Sequence, residues 1–224
     1  MTLRLLENPE VALAIGYAPA ALQPVVKALL NLDDSLGAVL RATGQPMLAQ
    51  LRLAWWRDQL TALEGGEPPA MPVLVEVASA VVGAEVSGQM LADMATGWER
   101  LATAEELTPE ILGAYAEERG ATLFRAVARC AGGGEPAGLA KAGQGWALAD
   151  LSRHLSDPAA AGEAQRMVLA ALADGPGRWP GPLRVLGALS LLARMDAAIP
   201  LDQPIRHGAP GRVARLAVMK LTGR

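Results

Sequence analysis

Helical spacing of apolar residues, interrupted at short intervals by proline and glycine, is the feature that most constrains how this chain can fold. Apolar residues recur every three or four positions along most of its 224 residues, without the alternation typical of a β-strand. The predicted helices lie at about 9–16, 20–42, 46–64, 71–81, 84–102, 109–131, 136–155, 160–173, 181–197 and 209–222. The pattern predicts one all-α domain over residues 1–224, with about eight to ten helices.

Short segments rich in proline and glycine separate the predicted helices. These breaks are TGQP (43–46), EGGEPP (64–69), AGGGEP (131–136), DGPGRWPGP (174–182) and PLDQP (200–204). The segment TPE is a favourable helix start, because Thr108 can cap the helix, Pro109 suits its first turn and Glu110 interacts favourably with its dipole.

Composition and charge exclude several classes of protein. Hydrophobic residues make up 51% of the chain, which is typical of a globular protein rather than a disordered one. The net charge is −3 and the basic residues form no run, so a nucleic-acid partner is not expected. The single cysteine, Cys130, excludes an intramolecular disulfide and a multi-cysteine metal site.

The sequence predicts neither a secretory signal nor a membrane-spanning helix. The first residues, MTLRLLENPE, reach charges too early for a secretory segment, and no stretch contains the ~18 uninterrupted apolar residues of a spanning helix. We therefore expect a cytoplasmic location. The strongly apolar composition leaves peripheral membrane contact open.

A helical wheel of the segment 20–42 places a carboxylate on the apolar face. That face consists of Leu22, Val25, Val26, Leu29, Leu36 and Leu40. Asp33 lies in the middle of it, whereas Asp34 lies to one side, near Arg41. Because an unpaired buried carboxylate is costly, Asp33 is expected to have a cationic partner.

The segment 46–64, which contains the pair Trp55 and Trp56, shows two apolar stripes. One stripe is Leu48, Leu51, Trp55 and Ala62, and the other is Ala49, Leu53, Trp56, Leu60 and Leu63. Arg52 and Gln59 lie between the stripes, so both tryptophans are expected to be buried and Arg52 is expected to reach Asp33 through its planar guanidinium. A purely structural ion pair is an equally open interpretation of this contact.

The segment 136–155 has small and polar residues on one side and large apolar residues on the other. The first side consists of Leu139, Ala142, Gly143, Trp146, Asp150, Arg153 and His154. This composition is typical of a cavity wall rather than a packed seam. Three helices that each turn polar groups inward favour a shared polar cavity, although His154 is also compatible with a solvated position near a helix end.

Several of these segments together resemble the squalene/phytoene synthase family. The similar segments are NLDDSLGAVLRATGQPM, LAQLRLAWWRDQL, YAEERGATLFRAVARCAGG and GQGWALADLSRHLSD, in the family's order over roughly residues 10 to 160. The closest similarity is to a divergent bacterial branch with a RLxWWR core. That branch is also similar to assembly factors of mitochondrial respiratory complex I, which keep the fold and are thought to act without the synthase chemistry.

The resemblance implies an isoprenoid-synthase-like helical bundle around a central, largely apolar cavity. Active members hold two prenyl diphosphates through Mg²⁺ bridged by aspartates from two facing helices, and then join the allylic chains. Magnesium suits this reaction because it prefers oxygen ligands and neutralises the departing diphosphate. A dry cavity protects the carbocation that forms.

Both aspartate motifs of the family are incomplete in this chain. The first motif of the family has a second carboxylate four residues after the first. In this chain Gly37 lies four residues after Asp33, and Ala38 lies four residues after Asp34. In the second, Asp150 stands at an asparagine position, Arg153 is retained, His154 replaces an aspartate and Asp157 is the final acid. Neutral imidazole is a poorer ligand for Mg²⁺ than a carboxylate. The motifs therefore assign no complete set of metal ligands; Asp33 and Asp150 would hold Mg²⁺ if the protein is active.

Three hypotheses remain open on the sequence. The first is an atypical family member that binds a prenyl or other lipid-like ligand, or a protein partner as an assembly factor. The second is a working prenyltransferase, and the third is a helical protein whose inward charges are structural. The candidate catalytic residues are Asp33, Asp34, Asp150 and Asp157, and the candidate residues for binding a prenyl diphosphate are Arg52, Trp56, Gln59, Tyr115, Trp146, Arg153 and His154.

Overall fold

The computed structural model describes residues 8–42, 45–83 and 85–224, which form ten helices and no strand, so the predicted all-α fold is confirmed. The first five helices are α1 (Pro9–Ile15), α2 (Gln23–Ala42), α3 (Pro46–Ala62), α4 (Pro72–Ala80) and α5 (Gly88–Thr103). The sixth, α6, runs through Pro109–Ala116, a π-helical turn at Glu117–Ala121, and Thr122–Cys130. The last four are α7 (Leu139–Ser152), α8 (Pro158–Ala173), α9 (Arg184–Ala197, after a 3₁₀ turn at Gly181–Leu183) and α10 (Pro210–Thr222).

Each predicted helix is present, and the largest difference at an end is at α5, predicted from residue 84 and observed from Gly88. Some predictions fall on residues outside the description. They are the expectation that the first residues form no secretory signal, as far as it concerns residues 1–7, the part of the TGQP break at residues 43–44, and the predicted helix start at residue 84.

Side-chain caps fix several of the helix starts. The hydroxyl of Thr108 accepts a hydrogen bond from the backbone N–H of Ile111 at 3.4 Å, and Pro109 follows in the first turn, as predicted. Ser87 caps α5 in the same way through the N–H of Met90, at 3.0 Å. These bonds satisfy donors that the first turn of a helix leaves without a partner.

One hydrophobic cluster links helices from both ends of the chain, from Val11 in α1 to Met219 in α10. Helix α5 packs against α3 on one side and against the π-helical turn of α6 on the other. Helix α7 packs against the same turn and against α8 and α9. The π-helical turn is therefore held between two helices at the centre of the bundle.

None of the described helices is both long enough and apolar enough to cross a bilayer.

Candidate functional site

A half-open cavity of about 670 Å³ lies at the centre of the bundle. Helices α1, α2, α5, α6, α7, α9 and α10 contribute to its wall, together with the loop between α9 and α10. Its charged lining consists of Asp33, Asp34, Arg41, Arg119, Asp150, Arg153, Asp196 and Arg212, and its histidines are His154 and His207. Its apolar lining includes Val11, Trp98, Trp146, Leu189, Leu192, Leu201 and Ile205.

Arg119 joins the two carboxylates that face each other across this cavity. Its Nε donates to Oδ1 of Asp33 and its Nη2 to Oδ2 of Asp33, both at 2.7 Å. The same Nη2 lies 2.8 Å from Oδ2 of Asp150 on the opposite helix. Asp33 and Arg119 are each only 1% exposed in their side chains, whereas Asp150 is 28% exposed. One guanidinium therefore bridges α2 and α7.

Two aromatic rings lie against the Arg119 guanidinium. Its central carbon lies 4.5 Å from the centroid of the Trp98 ring and 4.8 Å from that of Trp146. The hydroxyl of Tyr115 accepts a hydrogen bond from Nη1 of Arg119, and the indole N–H of Trp98 donates to Asp33 at 3.4 Å. Stacking and hydrogen bonding together replace the hydration that a buried cation loses.

The backbone around Arg119 permits this arrangement because two glycines meet there. A Cβ atom at Gly120 would lie 2.0 Å from the carbonyl oxygen of Gly143, and one at Gly143 would lie 2.3 Å from that of Gly120. The π-helical turn of α6 therefore touches α7 backbone to backbone. Such turns insert an extra residue into a helix and are frequent at functional sites.

The electrostatics of the bridge keep Arg119 charged. Burial acts to lower the pKa of Arg119, but the negative charges of Asp33 and Asp150 outweigh it, and the pKa lies well above its usual value. Complete burial raises the pKa of Asp33 despite the opposing effect of Arg119. Burial also acts to raise the pKa of Asp150, but Arg119 and His154 outweigh it and the pKa is lowered. Burial raises the pKa of the Tyr115 hydroxyl.

A second arginine lies beside Gly37, the position at which the resemblance leads one to expect a second carboxylate. Arg41 donates to Oδ1 of Asp34 at 2.9 Å. A Cβ atom at Gly37 would lie 2.8 Å from Nη1 of Arg41 and 3.0 Å from the Trp98 ring. A side chain at position 37 would therefore require the flexible end of Arg41 to shift and would lie tightly against the Trp98 ring.

Arg153 bonds to backbone carbonyls rather than projecting free into the cavity. Its two terminal nitrogens donate to the carbonyl oxygens of Asp196, Ile199, Pro200 and Gln203 at 2.5 to 3.1 Å. These carbonyls belong to the end of α9 and the loop that follows it. Arg153 therefore holds one wall of the cavity in place.

The predicted partner of Asp33 was wrong. Arg52 is exposed on α3 and does not reach Asp33, whose bidentate partner is Arg119. The prediction that both tryptophans are buried was also wrong, because Trp56 is 7% exposed but Trp55 is 40% exposed. Helix α3 packs on α5 through only one of its two stripes, so the stripe with Trp55 faces solvent.

Six of the residues predicted from the sequence come together at the cavity, and five do not. Those that line it are Asp33, Asp34, Trp146, Asp150, Arg153 and His154. Trp56, with Arg52, lines a separate shallow groove on α3, and half-buried Gln59 is in neither lining. Tyr115 is completely buried behind Arg119. Asp157 is an exposed cap of α8 that accepts a hydrogen bond from the N–H of Ala159 at 3.0 Å.

Arg119 is the principal residue that the sequence analysis missed. A signal for it exists in the segment 109–131, where Leu112, Tyr115 and Leu123 fall in one arc of the wheel and Arg119 lies within that arc. The same reasoning that placed Asp33 inside the bundle would have placed Arg119 there.

The carboxylates present do not fit a magnesium cluster. Within residues 8–42, 45–83 and 85–224, no group of three or more His, Cys, Asp or Glu side chains is arranged to hold a metal ion. The oxygens of Asp33 that would bind a cation already accept hydrogen bonds from Arg119. A guanidinium thus lies between the two facing aspartates, where a bridging metal would need to bind.

Comparison with known proteins identifies one similarity. The sequence model of the family described as squalene/phytoene synthase matches residues 8–196, which include every helix from α1 to α9 except the last residue of α9. No curated protein and no solved structure shows a significant similarity to the chain. Helix α10 lies beyond the matched region.

Proposed function

The chain belongs to the squalene/phytoene synthase family, and from this premise we propose that it is an atypical member that binds a prenyl or similar apolar ligand without magnesium and does not condense prenyl diphosphates. The observation that carries the proposal is the bridge from Arg119 to both Asp33 and Asp150. A guanidinium carries a single positive charge and has no coordination sites. It therefore cannot bind diphosphate oxygens as ligands in the way that Mg²⁺ does.

The cavity has little capacity to accept the charge of a diphosphate. Each of the four arginines that line it is already bonded: Arg41 to Asp34, Arg119 to two aspartates, Arg212 to Glu10 and Asp196, and Arg153 to backbone carbonyls. Four aspartates line the same space. Additional negative charge would add to these carboxylates in a partly enclosed site, which is costly. The ligand that suits this lining has an uncharged polar head.

The remaining wall suits an apolar chain. Trp146, Leu189 and Leu192 contribute apolar surface from α7 and α9, and Leu201 and Ile205 contribute it from the loop. A cavity of about 670 Å³ lies in the usual size range of small-molecule sites, roughly 300 to 1,000 Å³. Prenyl alcohols and prenylated quinones have the required combination of a neutral head and a branched apolar tail.

The proposal is tested by native mass spectrometry and lipid extraction of the purified protein. A prenyl or related apolar molecule of defined mass should accompany the wild-type protein. Leu192→Gln, which places an amide in the apolar wall, should reduce its amount, whereas Leu169→Gln at an exposed position of α8 should not. Recovery of no apolar ligand, together with no binding of added farnesol, would overturn the proposal.

A second candidate, an active prenyltransferase, is favoured by the convergence of Asp33, Asp34 and Asp150 on one cavity. It requires pyrophosphate release from a C10 to C20 prenyl diphosphate in the presence of Mg²⁺. It also requires that release to be lost in Asp33→Ala or Asp150→Ala. We expect no release from the wild-type protein, and release that depends on these two aspartates would establish the second candidate instead.

A further inference from the structure

Helix α10 has apolar residues on two opposite faces, and only one of those faces is covered. Leu216 and Met219 are buried against the bundle on the inner side. The outer face consists of Val213, Ala214, Ala217, Val218 and Leu221, all of them exposed. Val218 and Leu221 leave 54% and 77% of their surface accessible, so nothing in the described part of the chain covers this face.

Basic residues border the outer face and no acidic residue accompanies them. On the wheel of α10, Arg215 lies at one edge of the apolar face and Lys220 at the other. Residues 203–224 contain Arg206, Arg212, Arg215, Lys220 and Arg224 but no aspartate or glutamate, although the net charge of the chain is −3. Arg212 is buried and paired with Glu10 and Asp196, so the exposed basic residues of this segment are Arg206, Arg215, Lys220 and Arg224.

Two further arginines add to the charge at the end of α10. Nε of Arg178 donates to the carbonyl oxygen of Thr222 at 3.2 Å, and Nη1 of Arg184 donates to that of Lys220 at 2.5 Å. The last carbonyls of a helix are natural acceptors for such groups. The start of α9 and the segment before it are thus fixed against the end of α10, with both guanidinium groups beside its last carbonyls.

We propose that the outer face of α10 docks on the anionic surface of a lipid bilayer. Val213, Val218 and Leu221 enter the interfacial region and Arg215 contacts lipid phosphates. Lys220, whose ammonium lies 5.3 Å from the centroid of the Tyr17 ring, contacts them from the other edge of the face. An apolar helix face with basic edges is the pattern of helices that lie in this region. The five apolar and two basic residues of this face are fewer than the roughly 20 to 30 residues a side of a stable protein interface.

The position of α10 also connects the docking face with the cavity. Arg212 on its inner side and His207 in the preceding loop both line the cavity. A bilayer against the outer face would therefore lie close to the cavity wall formed by α10 and this loop. The docking proposal does not depend on which molecule the cavity binds, because it rests on the surface of α10 alone.

Vesicle co-sedimentation tests this inference. We expect the protein to bind vesicles of equal parts phosphatidylglycerol and phosphatidylcholine, to bind pure phosphatidylcholine vesicles far more weakly, and to be released by added salt. The double variant Arg215→Gln/Lys220→Gln should bind about 25-fold more weakly, because each basic residue near an anionic surface contributes roughly a five-fold factor. Leu221→Ser should also weaken binding.

Matched variants on other surfaces are the controls. Lys141→Gln/Arg52→Gln removes the same charge from exposed positions elsewhere, and Leu51→Ser removes an apolar side chain that is 63% exposed on α3. Neither should alter vesicle binding, and circular dichroism should show that all variants are folded. Absence of binding, equal binding to both vesicle types, or a loss caused by Leu51→Ser but not by Leu221→Ser would overturn the proposal.

Discussion

Arg119 holds two carboxylates from different helices, the task that a divalent cation performs in a metal-bridged aspartate site. Its planar guanidinium binds Asp33 at two points and reaches Asp150 with one of the same nitrogens. A guanidinium neither dissociates nor loses its proton under physiological conditions. The bridge is therefore a permanent part of the fold, and Asp33 depends on it for charge compensation.

Replacing Arg119 should destabilise the protein strongly. Arg119→Met leaves the carboxylate of Asp33 buried without its cation, and loss of one partner from a buried pair typically costs about 3–5 kcal/mol. Urea denaturation followed by circular dichroism measures the free energy of unfolding. Arg52→Met is the matched control, since it removes an exposed arginine and should change the free energy by less than about 0.5 kcal/mol. Similar losses in the two variants would contradict this account.

At the scale of single elements, the position of Arg119 depends on the contact between α6 and α7. The π-helical turn of α6 meets α7 at Gly120 and Gly143, where a Cβ atom on either residue would overlap the backbone of the other helix. Any separation of these helices would move Arg119 away from Asp150. The two glycines therefore control the geometry of the bridge without touching the cavity.

Alanine at either glycine should destabilise the fold, although alanine is the better helix former. Gly120→Ala and Gly143→Ala should each lower the free energy of unfolding by about 1–3 kcal/mol, because the helices are forced apart. Gly113→Ala, in the same α6, is the control: its Cβ would meet only Met167, at 3.8 Å, and a gain of up to about 1 kcal/mol is expected. Thermal or urea denaturation provides the comparison. A stabilising effect of Gly120→Ala would show that the close contact is absent.

Helix α3 marks the limit of prediction from the wheel of a single element. Its sequence placed Trp56 and Trp55 on two apolar stripes and gave no reason to prefer one over the other. The packing of α3 on α5 covers only the stripe with Trp56. The wheel states which residues share a face, whereas the choice between two apolar faces depends on neighbouring helices that are distant in sequence.

At the scale of the whole molecule, one ion-pair cluster joins the first helix to the last. Both oxygens of Glu10 in α1 accept hydrogen bonds from Arg212 in α10 at 2.8 Å, and one also accepts from the backbone N–H of Gly208 at 3.0 Å. His207 lies 3.2 Å from the same carboxylate, and Arg212 lies 2.7 Å from Asp196. The cluster holds the loop that lines the cavity between α9 and α10.

This cluster should make stability depend on pH in the acid range. Burial acts to raise the pKa of Glu10, but the hydrogen bonds from Arg212, Gly208 and His207 outweigh it and lower the pKa. The unfolded chain therefore takes up the proton first as the pH falls, and the free energy of unfolding decreases below the ordinary pKa of a glutamate. Glu10→Gln should reduce this dependence in denaturation measured between neutral and acidic pH.

Glu106→Gln, at an exposed position before α6, is the control for that series and should leave the pH profile unchanged. If the pH profiles of the wild-type protein and of Glu10→Gln are the same, Glu10 makes no contribution to stability in acid.

The all-α architecture could be predicted because its evidence is local. Apolar periodicity, caps such as Thr108 and breaks at proline and glycine each act within a few residues, so the helix ends followed from the sequence. The inward direction of Asp33 followed for the same reason. Its partner did not, because Asp33 and Arg119 are separated by 86 positions and their contact depends on how α2, α6 and α7 pack.

The central proposal is that Arg119 takes the place of a bridging metal. Its most direct test is a titration of the protein with Mn²⁺ followed by electron paramagnetic resonance, with and without farnesyl diphosphate. Manganese is a suitable probe because it shares the oxygen ligands of Mg²⁺. We predict that the spectrum of free Mn²⁺, or of Mn²⁺ bound to free diphosphate, is unchanged by the protein. A protein-bound signal that disappears in Asp33→Asn or Asp150→Asn would contradict the account.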